Sequence, residues 1–276
     1  MLVTQPTVAV IIPTYNRANV IACALRSVLN QTYKKLEVIV VDDGSTDDTQ
    51  RVVESFADPR VSYFRCETNL GATAARNLGI KKSTAEFIAF QDSDDEWLCE
   101  KLEKQMAVFA QAGANVGVVY SGFFRVDGKM ATYYPPDTVL KKSGDILESL
   151  LRSNFVTTQA AVVRRECFLS SGMFDERLPR FQDWELFIRL AKRYEFKCID
   201  EPLLLAYCSP VSITASEQNL PVALRMILER HQDVYSKHRR IHYMHRCLLF
   251  LGRYQTHLIN YFKRHPRLKK IISEFF

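Results

Sequence analysis

No histidine occurs in the first 230 of the chain's 276 residues. All six (His231, His238, His242, His245, His257, His265) lie in the terminal stretch, so acid–base chemistry in the body must use other groups. Cysteine is scattered: Cys23, Cys66, Cys99, Cys167, Cys198, Cys208 and Cys247 stand singly, with no C-x-x-C pair. That pattern excludes a zinc ribbon and fits reduced thiols better than a disulfide framework. No run approaches the roughly 18 unbroken apolar residues of a membrane span. The opening MLVTQPTVAV has neither the basic start nor the small-residue cleavage site of a signal peptide, so a cytoplasmic location is expected. No G-x-G-x-x-G follows the first apolar run. The stretch 122–129 misses a P-loop by having five residues between its glycines, and no Ser or Thr after Lys129. Internal repeats and low-complexity segments are also absent.

What is present is ordinary globular composition, 47% apolar and 25% charged, which argues against disorder. The net charge of +6 is an average over unlike parts. Residues 237–276 hold ten Lys and Arg against Glu274 alone, a net of +9, which leaves −3 for residues 1–236. The tail is therefore a separate physical object. The expected division is one domain over 1–215, in two halves at 1–120 and 121–215, followed by a basic helical extension over 216–276.

Apolar runs at 8–12, 36–41, 61–65, 86–90 and 116–120 read as strands. Helical spacing appears at 18–30, 47–57, 71–82 and 98–112. Strands and helices in this alternation predict an α/β domain with a mostly parallel central sheet flanked by helices. After residue 120 the rhythm changes. A hairpin turning at Asp127-Gly128 is followed by a helix near 143–152, a strand near 159–164, a helix over 182–193 and a strand near 196–199. From about 218 the pattern is helical.

Ligands of open α/β sheets bind beyond the carboxyl ends of the strands. There the first strand delivers Pro13-Thr14-Tyr15-Asn16-Arg17, the second Asp42-Asp43-Gly44-Ser45 and the fourth Asp92-Ser93-Asp94-Asp95. Three carboxylates in four residues repel. Two charges about 4 Å apart cost on the order of 4 kcal/mol at an effective dielectric near 20. A hard divalent cation with oxygen ligands, Mg²⁺ or Mn²⁺, relieves that cost and can bridge a diphosphate. The blander reading is a solvated turn capping the next helix. Asp42 or Asp43 can accept hydrogen bonds from a base or ribose, or simply shape a turn. Gly71 and the small residues after it allow close backbone approach at a helix start, which favours anions, with Arg76 further inside. Asp183 stands beside Trp184 at a helix start. In a partly apolar pocket its pKa rises and it can take a proton from a hydroxyl.

Taken in order, these motifs resemble the large inverting glycosyltransferase family called family 2, which has the GT-A fold. The matching stretches are VAVIIPTYNR (8–17), LEVIVVDDGSTDDT (36–49), NLGATAARNLGI (69–80), FIAFQDSDDEW (87–97) and SGMFDERLPRFQDWELFIRL (171–190), with 207–212 as a further candidate. The resemblance covers roughly residues 6–212. It implies that Pro13, Thr14, Tyr15 and Arg17 border a nucleotide-sugar and that Asp42, with Asp43 beside it, reads the base. It further implies that Arg76, Asp92 and Ser93 hold the nucleotide-sugar, that Asp94 and Asp95 serve a Mn²⁺ or Mg²⁺ site, and that Asp183 is the general base. Trp184 and Gln182 are then placed toward the acceptor. One departure is Gln182, where many members carry Glu, so any second acidic role there is missing.

The implied reaction is a single displacement. An acceptor hydroxyl loses its proton to Asp183, attacks the anomeric carbon of a UDP-type sugar and inverts it. A sugar nucleotidyltransferase is the nearest alternative, but it usually carries a glycine-rich basic loop where this chain has PTYNR. A non-catalytic nucleotide-sugar-binding protein is the other, and the acids at 94, 95 and 183 argue against it. The expected acceptor is a saccharide or a lipid-linked one. The basic amphipathic tail suits either an anionic membrane surface on the inner face or packing against the body. It lacks a recognisable nucleic-acid-binding module, so nucleic acid is not an expected partner.

Overall fold

The structure, a computed structural model, describes residues 7–208 and 219–253, with side chains to residue 249. The tail residues beyond 253, and the motif residues after 208, lie outside the described residues. The chain divides into two compact units, Met1–Ala215 and Ser216–Phe276.

In the first unit the alternation of the sequence becomes β1 (Val8–Thr14), α1 (Ile21–Leu29), β2 (Leu36–Asp42), α2 (Thr49–Glu54), β3 (Val61–Arg65), α3 (Ala72–Lys82) and β4 (Phe87–Phe90). Every residue of β1 is buried, as expected for a central strand covered on both faces. Helix α1 turns Ile21, Ala24, Leu25 and Val28 into the core. Helix α3 lies directly on the sheet: a Cβ on Gly79 would sit 2.4 Å from Cγ2 of Ile11. Only a residue without a side chain allows that approach.

Further along come β5 (Glu96–Trp97), α4 (Lys101–Gln111), β6 (Val116–Asp127), β7 (Met130–Tyr134), α5 (Leu147–Arg152), β8 (Ala161–Arg164), α6 (Arg165–Ser171), α7 (Gln182–Ala191) and β9 (Glu195–Tyr207). Among the described residues the sheet runs β3-β2-β1-β4-β8-β6-β9-β5, with β7 paired to β6. It is parallel through β3-β2-β1-β4 and mixed beyond, because β8 enters antiparallel between β4 and β6. The expected passage between halves at residue 120 falls inside β6, which continues to Asp127.

Three local differences from the sequence reading have plain causes. Helix α4 starts at Lys101 rather than 98, since Glu96 and Trp97 stay extended to pair with Leu205 and Leu204. Strand β9 runs on to Tyr207 because its register with β6 shifts near Ser121 and Gly122, absorbing the polar Asp200-Glu201-Pro202 step. Helix α6 has little periodic signal of its own; it is short and carries only two buried residues, Cys167 and Phe168.

One core group is unusual. Lys101 is fully buried, its Nζ 3.9 Å from the Trp97 ring centroid and donating to Gln105 Oε1 at 2.9 Å. Desolvation holds its amine well below the usual lysine range.

In the second unit α8 (Asn219–Arg230), α9 (Gln232–Tyr235) and α10 (Arg239–Arg253) pack together. They bury Leu224, Ile227, Leu228, Val234, Tyr235 and Ile241. Arg239, Arg240, Tyr243 and Arg246 of α10 are exposed.

Candidate active site

The pairing register delivers the sequence motifs to one rim. Thr14 lies opposite Asp42, and Ile11 opposite Phe90. Extending the second register sets Asp92 level with Pro13. The loops that follow are stitched together. The Asn16 amide donates to Ser45 Oγ at 2.8 Å and the Arg17 amide to Thr49 Oγ1 at 2.9 Å. Asp47 joins the same seam, accepting from the amides of Ala18 and Thr49, each at 3.0 Å. Thr14 keeps a buried hydroxyl without a hydrogen-bond partner, and Tyr15 stands 43% exposed at the rim.

The two aspartates after β2 shape this rim. Asp42 is fully buried and accepts from the Ser45 amide at 2.8 Å and from the Tyr63 hydroxyl. Burial, and then the Asp42 bond, push the Tyr63 phenol up, so it stays a donor. Asp42 has no accessible surface and both its oxygens already accept hydrogen bonds, from the Ser45 amide and the Tyr63 hydroxyl, so this arrangement offers no open oxygen for the expected reading of a base by Asp42. Asp43 accepts from the amides of Leu70 at 2.9 Å and Gly71 at 2.6 Å, fixing the entry to α3. Gly71 adopts φ +94°, a region where other residues are strained.

From α3, Arg76 reaches across to Asp92, Nη2 to Oδ1 at 2.7 Å, and its Nε is buried without a partner. Arg17 approaches Asp94 at 3.8 Å. Burial and the neighbouring Asp92 raise the pKa of Asp94. Asp95 is turned inward, 4% exposed, and accepts the Tyr207 amide at 3.0 Å. Burial, then the charges of Asp92 and Asp94, push it up to about 9. Ser93 is buried between them.

Asp183 belongs to this group although it is ninety residues further on. It is the second residue of α7, just after Phe181, whose φ of +63° places the backbone in the left-handed region. Its Oδ1 accepts from Asn154 Nδ2 at 3.1 Å and from the Trp184 amide at 2.7 Å. Its Oδ2 takes no hydrogen bond from the described residues. Burial raises its pKa most; the Trp184 and Asn154 hydrogen bonds and the Arg76 charge lower it, and Asp92 raises it.

The profile of glycosyl transferase family 2 matches residues 9–169, more than half of the chain. The chain belongs to glycosyl transferase family 2. It is 34% identical over 209 residues to the amylovoran biosynthesis glycosyltransferase AmsB of Erwinia amylovora, covering 71% of this chain and 67% of that protein. It is 39% identical over 116 residues to WfgD of Escherichia coli, named as a UDP-Glc:alpha-D-GlcNAc-diphosphoundecaprenol beta-1,3-glucosyltransferase. That match covers 42% of this chain and 45% of WfgD. The chain spans only about a third of the length of uncharacterized glycosyltransferases from Rickettsia conorii and Rickettsia felis. Among solved structures, S. aureus TarS 1-349 in complex with UDP-GlcNAc superposes with a TM-score of 0.68 at 22% identity, over 80% of this chain and 65% of that one. The mannosyltransferase PcManGT of Pyrobaculum calidifontis, in complex with GDP-Man and Mn²⁺, gives 0.63 at 24%, over 82% and 65%. These likenesses establish the GT-A fold.

Of the two residues expected toward the acceptor, Trp184 is turned into the core and Gln182 stays half-buried. Trp184 does not face an acceptor: it is 4% exposed and its indole N–H donates to Leu150 O at 2.6 Å. Gln182 is half-buried and donates to Leu178 O at 2.8 Å. The acid triplet is not a preformed cage either. Among the described residues no three His, Cys, Asp or Glu side chains gather into a ligand set, because Asp92 faces Arg76 and Asp95 faces Tyr207. The donors nonetheless fit a hard divalent cation. Mg²⁺ is usually held by one or two carboxylates plus substrate phosphates. Asp92 and Asp94 are half-exposed oxygen donors, each with an arginine nearby, and the charge of Asp92 still raises the pKa of Asp94.

Tyr63 and Asn154 carry no sequence signal. Nothing in their neighbourhoods marks a tyrosine in a short edge strand, or an asparagine after a short helix, as a partner of a distant carboxylate.

Proposed function

We propose that the chain is an inverting glycosyltransferase that moves a sugar from a nucleoside diphosphate sugar, of the UDP class, to an acceptor hydroxyl. One observation carries the reading. Arg76 holds Asp92 at 2.7 Å, and the charges of this pair bear on the buried Asp183 carboxyl, which supports the reading that three motifs far apart in the chain serve one site. Asp183 presents a free Oδ2 there, backed by two hydrogen bonds on Oδ1.

The chemistry follows from these positions. The acceptor hydroxyl gives its proton to Asp183 Oδ2 as its oxygen bonds to the anomeric carbon. The bond from that carbon to the diphosphate breaks on the opposite face, which inverts the configuration. Arg76 and Arg17 supply positive charge at the rim where the diphosphate develops its own. Fixed charges and positioning provide most of the acceleration in such a site. Mn²⁺ or Mg²⁺, held by Asp94 with Asp92 beside it, would add counter-charge for the departing diphosphate. The burial of Asp95 removes it from that ligand set.

The name of WfgD supports a UDP-sugar donor and a lipid-linked acceptor, and that of AmsB a biosynthetic glycosyltransferase; the reading takes the acceptor to be a saccharide or lipid-linked one in cell-surface polysaccharide or glycolipid synthesis. The exposed Arg239, Arg240, Tyr243 and Arg246 of α10 support peripheral attachment to an anionic membrane at its cytoplasmic face. Equal recovery of the protein with and without anionic liposomes would remove that part of the reading.

The deciding experiment supplies UDP-glucose and UDP-N-acetylglucosamine with Mn²⁺ and identifies the released product. Free UDP supports sugar transfer; conversion of the UDP-sugar and added pyrophosphate to UTP and sugar 1-phosphate, with no free UDP, would assign nucleotidyl transfer instead. Asp183→Asn should lower UDP release by roughly 10²–10⁴-fold, the usual worth of a positioned base. Unchanged turnover in that variant removes Asp183 from the mechanism.

A further inference from the structure

Asn77 follows Arg76 on α3, yet its side chain points away from the rim into a buried contact with the loop 172–181. It is 4% exposed. Its Oδ1 accepts the Phe174 amide at 3.0 Å, and its Nδ2 donates to Phe174 O at 3.0 Å and to Glu176 Oε1 at 2.7 Å. One amide side chain thus satisfies both backbone groups of a residue ninety-seven positions away. Phe174 packs edge-on against Phe90, ring centroids 5.3 Å apart. Phe90 ends β4, two residues before Asp92.

These contacts close a ring. Arg76 is tied to Asp92, Asp92 follows Phe90, Phe90 packs on Phe174, and Phe174 is clasped by Asn77 beside Arg76. The clasped loop runs directly into α7 and Asp183. Its first residues are also tied to α7, through Arg189 donating to Gly172 O at 3.0 Å and Met173 O at 2.7 Å. We infer that Asn77 is a positioning residue: it sets the distance between the donor-side pair Arg76–Asp92 and the base-bearing start of α7.

The two sides of the clasp are not equally held. Helix α3 is fixed to the sheet through Gly79 on Ile11, and its entry is fixed by Asp43 on the amides of Leu70 and Gly71. Breaking the clasp therefore loosens the part of the loop after Met173 and lets the first turn of α7, with Asp183, shift by a fraction of its length, while α3 and Arg76 stay in place and Arg189 and the buried face of α7 hold the rest. Donor affinity survives and turnover does not. A misplacement of about 1 Å can cost on the order of 10²-fold in rate.

The test uses the full chain and a charge swap. Asn77→Asp removes the donor and sets a carboxylate against Glu176. Glu176→Gln alone keeps an acceptor for Asn77. In the double variant the amide introduced at position 176 can donate to the new carboxylate at position 77 and remake part of the clasp. UDP binding with Mn²⁺ is measured by calorimetry, UDP release from a saturating UDP-sugar by product assay, and stability by thermal melting. Expected results are a 10- to 100-fold lower turnover for Asn77→Asp with the UDP Kd within about twofold, near-normal Glu176→Gln, and recovery of at least a few-fold in the double variant. Full turnover in Asn77→Asp overturns the inference. So does a parallel loss of UDP affinity, or turnover that follows the melting temperature rather than the restored hydrogen bond. The inference rests on Asp183 as the base, so Asp183→Asn is assayed alongside. If that variant turns over normally, the base assignment fails; if it is inactive while Asn77→Asp is normal, only the clasp fails.

Discussion

Replacing Lys101 by methionine should change stability by an amount that depends on pH, and the slope can be worked out from the structure. The amine is fully buried, with a neutral partner in Gln105 and the Trp97 ring beneath it, and desolvation lowers its pKa well below 10.5. The folded state therefore gives up a proton that the unfolded chain keeps until about pH 10.4. Where the folded amine is neutral and the unfolded one charged, unfolding takes up one proton. Stability of the natural protein then rises with pH by about 1.36 kcal/mol per unit. It stops rising once the unfolded lysine also deprotonates. Methionine binds no proton, so the advantage of Lys101→Met should shrink by about 1.4 kcal/mol between pH 8.5 and 9.5. Leaving Gln105 Oε1 without a donor adds a constant penalty of about 1–3 kcal/mol, which shifts the whole curve but not its slope. Urea unfolding of both proteins at several pH values, with the difference in free energy plotted against pH, reads the slope directly. A difference that does not vary with pH would show that Lys101 keeps its proton inside the fold.

Four further outcomes are expected. Asp183 acts as a base only when ionised, so kcat/KM for UDP release should fall as pH drops through its pKa, which burial sets above 3.8. Asn154→Ala removes a hydrogen bond that favours the carboxylate and should move this acid limb to higher pH; a limb that stays put would separate Asn154 from the base. Tyr63→Phe leaves one oxygen of the buried Asp42 without its donor, at about 1–3 kcal/mol. Its melting temperature should drop by several degrees, by the roughly 2–4 °C per kcal/mol typical of this size. Gly79→Ala forces a Cβ to within 2.4 Å of Ile11 Cγ2 and should destabilise the fold by about 1–3 kcal/mol, read as a lower urea midpoint.

By itself the sequence determined the architecture of the first half and the rim. Apolar runs such as VAVII and LEVIVV can only be buried strands, and the polar residues at their ends must follow where the strands stop. Parallel pairing then lines up Thr14, Asp42 and Asp92 at one edge, because strands of similar length start from a common side. The tertiary structure alone decided what each carboxylate does. Asp42 and Asp43 spend their oxygens on Tyr63 and on the amides that start α3, and Asp95 spends one on Tyr207. Asp183 keeps an oxygen free. Each of those partners lies twenty or more residues away; the local exceptions are the Ser45 amide on Asp42 and the Trp184 amide beside Asp183. Local spacing carries no information about such partners, since a side chain's available charge depends on burial and distant donors rather than on its neighbours in the chain.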